Sequence, residues 1–213
     1  TGMEVSNAGL YDGSTATAEA ALMACRITQK DKVAVLPSVS PKYVKVMQTY
    51  LGGRGFPLVK IAPDQPLPAD CACLIVPQPN FFGYFEDLSA LVRKAHDAGA
   101  LLVTIADPVS LGLFRPPGEY GADIVVAEGQ ALGNPVSFGG PGLGIFACRR
   151  DYIRQMPGRI VGKTVDAEGN PGYVLTLSTR EQHIRRERAT SNITTNEALV
   201  ALAATVYLAA MGR

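Results

Sequence analysis

Two short stretches of the sequence carry groups that could bind a small molecule. Residues 12–15, "DGST", precede an apolar helical pattern. Backbone N–H groups and hydroxyls at the positive end of a helix bind phosphate, although simple capping by Asp12 or Ser14 uses the same residues. Asp107 ends the apolar run "ALLVTIAD". A carboxylate there could accept a hydrogen bond from a protonated ring nitrogen, or could cap the turn that begins at Pro108.

A glycine-rich loop, "GNPVSFGGPGLG" at residues 133–144, lies between two apolar strand patterns. From Asp123 onwards the region holds no Lys, His, Cys or Arg until Cys148 and Arg149. A dinucleotide fingerprint needs its glycines to open a helix, whereas these lead into the strand pattern "LGIFAC". We therefore exclude NAD. The glycines instead favour a sharp backbone reversal next to a neighbouring chain or a ligand.

The surrounding elements alternate between uninterrupted apolar strands and amphipathic helices. This alternation predicts an α/β fold with a mostly parallel sheet covered by helices on both faces. Ligands bind such sheets beyond the carboxyl ends of the strands. The candidate site therefore comprises "DGST", the turn "PSVSP", the "PN" loop, Asp107 and the turn "EGQALGN".

The pattern changes after residue 155. We assign residues 1–155 to a core α/β domain. Residues 156–213 are expected to form a hairpin, "GRIVGKTVDAEGNPGYVLTL", and two closing helices of the same domain, which lead toward a missing C-terminal small domain. The charges of "TREQHIRRERAT" alternate in sign, which favours a solvated helix face. Both ends of the chain are interpreted as cuts within a larger protein.

Composition excludes several classes of protein. The formal net charge of +1, with acids and bases interspersed, gives no basis for a nucleic-acid or anionic-membrane partner. The apolar segment "EALVALAATVYLAAMGR" is too short for a membrane span. The four scattered cysteines are typical of core thiols in a reducing compartment, so we expect a cytoplasmic protein. With only two histidines besides, we expect no metal site. The cysteines are Cys25, Cys71, Cys73 and Cys148.

Longer stretches of the sequence resemble one family. "NAGLYDGSTATAEAALMA", "QPNFFGYFEDL", "EGQALGNPVSFGGPGLGIFA" and "MPGRIVGKTVDAEGNPGYVLTLSTREQHIRRERATSNI" are together similar to glycine decarboxylase, the P-protein of the glycine cleavage system. Within the family they resemble subunit 1, the α chain of the two-subunit bacterial form, over essentially the whole chain. The resemblance implies the large domain of a fold-type I pyridoxal-phosphate enzyme, in an α2β2 glycine dehydrogenase that decarboxylates glycine and passes the aminomethyl group to the lipoyl carrier protein.

The resemblance also implies where the cofactor chemistry lies. In the pyridoxal-carrying subunit a lysine before a similar glycine loop forms the Schiff base, and a count without gaps places it at Gln130, which cannot form an imine. Asp107 matches the ring-nitrogen aspartate, and Ser14 and Thr15 match the phosphate position. The turn "LPSVSP" lacks the histidine that stacks on the ring. The implied assignment is a vestigial cofactor pocket of Ser14, Thr15, Asp107 and Gln130, with no catalytic residue.

Pyridoxal phosphate would then be held covalently by the lysine-bearing subunit 2, and this chain would be inactive alone. Two alternatives stay open: a structural partner that contributes nothing to an active site, and a different fold-type I enzyme.

Overall fold

A computed structural model describes residues 1–195 and 197–212. The strands are β1 (Val5–Ser6), β2 (Lys32–Val35), β3 (Leu58–Lys60), β4 (Cys71–Gln78), β5 (Leu101–Ala106), β6 (Ile124–Glu128), β7 (Gly144–Cys148), β8 (Ile160–Val165) and β9 (Pro171–Thr176). The helices are α1 (Gly13–Thr28), α2 (Pro41–Gly52), α3 (Leu88–Asp97), α4 (Gln182–Arg185) and α5 (Ala198–Met211).

The main sheet has seven strands in the order β1-β7-β6-β5-β4-β2-β3. The pairs among β2, β3, β4, β5 and β6 are parallel, whereas β7 runs antiparallel to both β6 and β1. The predicted mostly parallel mixed sheet is therefore confirmed. Strand β1 was not predicted, because two residues are too few to show a periodic pattern.

Helices cover both faces of this sheet, as predicted. Successive residues of β4 point to opposite faces: Cys73 and Ile75 pack with α1 and α2, and Leu74 and Val76 pack with α3. Helix α1 is rich in alanine, and its small buried side chains bring it close to the central strands. Helix α3 buries a stripe at helical spacing. The stripe consists of Leu88, Leu91, Val92 and Ala95.

The predicted hairpin is formed by β8 and β9, which make a separate two-stranded sheet. Asp166 closes its turn by accepting hydrogen bonds from the N–H groups of Glu168 and Asn170. The division of the chain at residue 155, and the small domain expected beyond its end, stay predictions.

The segment after the hairpin differs from the prediction. We call residues 177–195 the strap. In place of one solvated helix it contains a 3-10 turn at Ser178–Arg180, the single turn α4 and a second 3-10 turn at Arg186–Arg188. Arg180 is only 8% exposed, and its guanidinium donates to the backbone carbonyls of Leu177, Met156 and Gly158. The solvated-face prediction is correct for residues 182–188, which are exposed, and wrong for Arg180, because charge alternation cannot reveal that backbone carbonyls hold an arginine.

Within residues 1–195 and 197–212, no helix is both long and apolar enough to cross a bilayer.

Candidate functional site

The carboxyl ends of β4, β5 and β6 open into a cavity of about 320 Å³. Tyr43, Asn80, Asp107 and Glu128 are among the residues that line it. Four of the five predicted segments therefore meet at this cavity, whereas no residue of "DGST" lines it. Of the four predicted cofactor residues, Asp107 lines the cavity. Ser14 and Thr15 lie in the first turn of α1, and Gln130 follows β6.

The first turn of α1 is capped by its own chain. Asp12 is the N-cap, and its Oδ1 accepts hydrogen bonds from the N–H groups of Ser14 (2.8 Å) and Thr15 (2.9 Å). The N–H of Ala16 donates to the Asp12 carbonyl at 3.0 Å. Residues 12–15 thus form a helix cap, which was the alternative to a phosphate site, and their N–H groups already donate within the chain.

Glu128, at the end of β6, takes the remaining N–H of this turn. Its Oε2 accepts from Gly13 at 2.9 Å. Its Oε1 accepts from the N–H groups of Gln130 (2.9 Å) and Leu143 (2.8 Å), which belong to the two sides of the glycine-rich loop. One carboxylate therefore joins β6, the loop and the start of α1, in the region where the helix dipole favours negative charge.

The glycines of the loop allow this close approach. A Cβ at Gly144 would lie 2.6 Å from the Asp12 carbonyl oxygen, and one at Gly142 would lie 3.1 Å from Glu128 Oε2. A Cβ at Gly13 would lie 2.4 Å from the Tyr43 hydroxyl and 2.9 Å from the Glu128 nitrogen. The expected backbone reversal thus packs against α1 of the same chain.

The Tyr43 hydroxyl is in the same cluster. Burial, and then the Glu128 and Asp12 carboxylates, raise the pKa of Tyr43 well above its usual value. The phenol therefore stays neutral beside these acidic groups. Sequence analysis missed Tyr43, because a single tyrosine in an amphipathic helix gives no functional signal. Glu128 was visible only as the first letter of "EGQALGN".

Asp107 and Gln130 are held by local hydrogen bonds. Asp107 Oδ1 accepts from the N–H of Val109 at 3.1 Å, and its carbonyl accepts from the Ser110 hydroxyl at 2.7 Å. This is the turn-capping alternative for Asp107. The Gln130 amide donates to the Pro141 carbonyl at 3.3 Å, within its own loop.

Exposed, mainly aromatic side chains lie in the loop after β4 and the segment after β5, and Phe81 is among the residues that line the cavity. Phe82 and Tyr84, in the loop after β4, are 67% and 71% exposed. The Phe85 ring reaches the Phe114 ring, in the segment after β5, with 4.3 Å between centroids. We call Phe81, Phe82, Tyr84, Phe85, Leu113 and Phe114 the aromatic rim. Apolar side chains this exposed and this close together are typical of a surface that contacts another chain.

These groups do not fit pyridoxal phosphate. A phosphate at the start of α1 would need free N–H donors, but those of Gly13, Ser14 and Thr15 donate to carboxylates. The two carboxylates would also repel it. The position counted for the Schiff-base lysine is Gln130.

The fold and the edge-of-sheet cavity define the class as the large domain of fold-type I pyridoxal-phosphate enzymes. The structure resembles a cystathionine γ-lyase from Micromonospora echinospora (TM-score 0.56, 16% identity, 94% of this chain and 46% of that one). It resembles a cysteine desulfurase from Escherichia coli similarly (TM-score 0.58, 14% identity, 94% and 51%). At these identities the likeness shows the fold alone.

The family follows from closer matches. The family model of the glycine cleavage system P-protein matches residues 1–213, and the chain belongs to that family. It is 55% identical to the probable glycine dehydrogenase (decarboxylating) subunit 1 of Desulforamulus reducens and 54% identical to that of Thermotoga maritima, covering 100% of this chain and 50% of each relative.

A crystal structure of glycine decarboxylase (P-protein) of the glycine cleavage system, in inhibitor-bound form, matches with a TM-score of 0.94 and 48% identity over 99% of this chain and 50% of that one. The predicted family and fold class are confirmed. The chain spans about half the length of the curated relatives it matches.

Proposed function

We propose that this chain acts within the subunit of glycine dehydrogenase (decarboxylating) that lacks the Schiff-base lysine. Family membership and the subunit 1 relatives support the assignment. The observation that carries it is the filled helix start: Asp12 and Glu128 take the N–H groups that a cofactor phosphate would need. The assigned residues Ser14, Thr15, Asp107 and Gln130 are then remnants of a cofactor pocket that now stabilise this chain.

The whole enzyme would decarboxylate glycine in the cytoplasm and transfer the aminomethyl group to the lipoyl carrier protein. Pyridoxal phosphate, which withdraws electrons from the bond that breaks, would be bound covalently to the lysine of subunit 2. This chain would supply no covalent chemistry. Its part would be to complete and order the site of its partner.

The aromatic rim supports a partner at this edge of the sheet. Phe81, Phe82 and Tyr84 are each more than half exposed, and Phe81 lines the cavity that holds Asp107. Burial of such rings against a second chain would contribute strongly to association. We propose that the lysine-bearing subunit covers the rim.

A matched pair of tyrosines tests this placement. Tyr84 in the rim and Tyr173 in the hairpin are 71% and 72% exposed. Tyr84→Ser should weaken binding to the lysine-bearing subunit by about tenfold or more, whereas Tyr173→Ser should leave it unchanged. Titration of the labelled partner with each variant gives the affinities. Equal affinities for the two variants would place the partner elsewhere.

A purely structural partner is the second candidate, because Asp107 caps its own turn. Asp107→Ala in the assembled enzyme separates the two. A loss of glycine–carbon dioxide exchange with unchanged subunit affinity indicates a contribution to the site. Unchanged exchange indicates a scaffold.

A further inference from the structure

A second cavity, of about 380 Å³, lies at the opposite edge of the main sheet. Helix α1 begins at the carboxyl ends of the parallel strands and ends just before β2 starts, so its last turn lies at the amino ends. The cavity is bounded by that last turn, by the 3-10 turn Arg150–Gln155 and by the strap. It shares no lining residue with the Asp107 cavity.

The lining is strongly basic. Five of the chain's twenty Lys and Arg side chains line this one cavity, although the formal net charge of the chain is only +1. The five are Arg26, Arg154, Arg180, Arg185 and Arg188. Among the residues that the structure describes, no Asp or Glu lines the cavity. The threonine hydroxyls of Thr179 and Thr190 add further donors.

Two of these arginines are withdrawn from solvent. Arg180 is 8% exposed and is oriented by three backbone carbonyls. Arg26 donates to the Gln155 carbonyl at 3.1 Å, while its buried Nε has no hydrogen-bond partner among the described residues. Burial lowers the pKa of both guanidiniums, which reflects the cost of desolvating their charge.

Two acids outside the lining, Glu19 on α1 and Glu181 next to Arg180, offset this charge in part. Glu19 lies two helical turns before Arg26 and interacts with it electrostatically, but its Oε2 accepts a hydrogen bond from Ser191 at 2.8 Å. Arg154, Arg185 and Arg188 are exposed at the mouth of the cavity, without an ion pair among the described residues. Like charges that line one cavity repel one another unless an anion lies between them.

We propose that this cavity binds a small phosphorylated molecule through its phosphate monoester group. Guanidinium groups donate two parallel hydrogen bonds to a phosphate, and such charge-assisted bonds are among the strongest in proteins. Several positive charges around one cavity match a dianion better than they match a singly charged carboxylate. The strap brings three of the arginines to the cavity, which gives the "TREQHIRRERAT" segment a function beyond a solvated surface. This proposal does not depend on the proposed function.

Inorganic phosphate is the probe, titrated into the whole chain by calorimetry at constant ionic strength with chloride as the counter-anion. We expect one saturable site. Arg185→Gln and Arg188→Gln should each weaken it by about tenfold, the value of one charge-assisted hydrogen bond. Arg186→Gln is the matched control, because Arg186 lies on the same strap but does not line the cavity, and it should bind as the wild type does.

The three substituted arginines are exposed, so the variants should fold, and circular dichroism of each variant verifies that it does. Absence of saturable binding, or equal weakening in the Arg186 variant, would overturn the proposal. A glutamate-rich peptide that binds while phosphate does not would overturn it in favour of a protein partner.

Discussion

The Glu128 carboxylate accepts the Gly13 N–H at 2.9 Å, and this bond links the end of the central strand β6 to the first turn of α1. Together with the Asp12 cap, it satisfies the N–H groups at the helix start from within the chain. The positive end of the helix dipole is thereby occupied by two carboxylates. In this chain the start of α1 is therefore a structural junction.

Gly13→Ala tests how tightly this junction is packed. The new Cβ would lie 2.4 Å from the Tyr43 hydroxyl and 2.9 Å from the Glu128 nitrogen. We expect a loss of about 1–3 kcal/mol in the free energy of unfolding, measured by urea denaturation. Gly52→Ala, where nothing lies within 4 Å, is the control and should not destabilise the chain. If Gly13→Ala were as stable as the wild type, the junction would be less tightly packed than the distances indicate.

Gln130→Lys tests whether a lysine alone would restore cofactor binding. We expect that pyridoxal phosphate followed by borohydride labels position 130 no better than pyridoxal, which lacks the phosphate. The reason is that Asp12 and Glu128 already occupy the donors of the helix start. Peptide mass spectrometry quantifies the label. A clear preference for the phosphorylated reagent at position 130 would show that the phosphate site is open.

Asp123 anchors the opposite edge of the sheet and should be costly to change. Its buried carboxylate accepts from the Leu102 N–H (2.8 Å) and pairs with His96 (2.8 Å) and Arg149 (3.2 Å). Asp123→Asn should lower the free energy of unfolding by about 1.5–3 kcal/mol, because the buried acceptor loses the charge that strengthens its hydrogen bonds, although His96 and Arg149 themselves are partly exposed. Glu119→Gln, in the exposed pair with Arg115, should cost less than about 1 kcal/mol. If thermal denaturation showed similar losses of stability for the two variants, the argument that the buried carboxylate matters more than the exposed one would be wrong.

Glu19 should make stability depend on pH. Burial raises its pKa from the ordinary value of 4.5, although the Ser191 hydroxyl, Arg26 and Arg54 act to lower it. The folded chain therefore keeps this proton to higher pH than the unfolded chain does, so the contribution of Glu19 is present below pH 4.5 and is lost as the pH rises through the folded value. Glu19→Gln should be more stable than the wild type at neutral pH. The advantage should shrink as the pH approaches 4.5 in denaturant titrations, and a constant difference would contradict this.

Much of the fold could be predicted because its signals are local. The apolar runs of β4 and β5 and the stripe of α3 identify buried strands and a helix without reference to the rest of the chain. The glycines before β7 correctly indicated a reversal into a strand.

The interactions of the candidate site could not be predicted, since they join residues far apart in sequence. The contact of Gly13 with Glu128 spans 115 positions, and that of Ser191 with Glu19 spans 172. The burial of Arg180 could not be predicted for a related reason: it is held by the carbonyls of Met156 and Gly158, which leave no trace in side-chain patterning.

Borohydride labelling of the assembled enzyme tests the central claim most directly. The subunit that contains this chain and the lysine-bearing subunit are incubated separately and together with pyridoxal phosphate, reduced, and analysed by mass spectrometry, while glycine–carbon dioxide exchange is followed before reduction. We predict a site-specific label on the lysine-bearing subunit alone, and exchange only when both are present. A specific label on a lysine of this chain, or full exchange by the other subunit alone, would contradict the account.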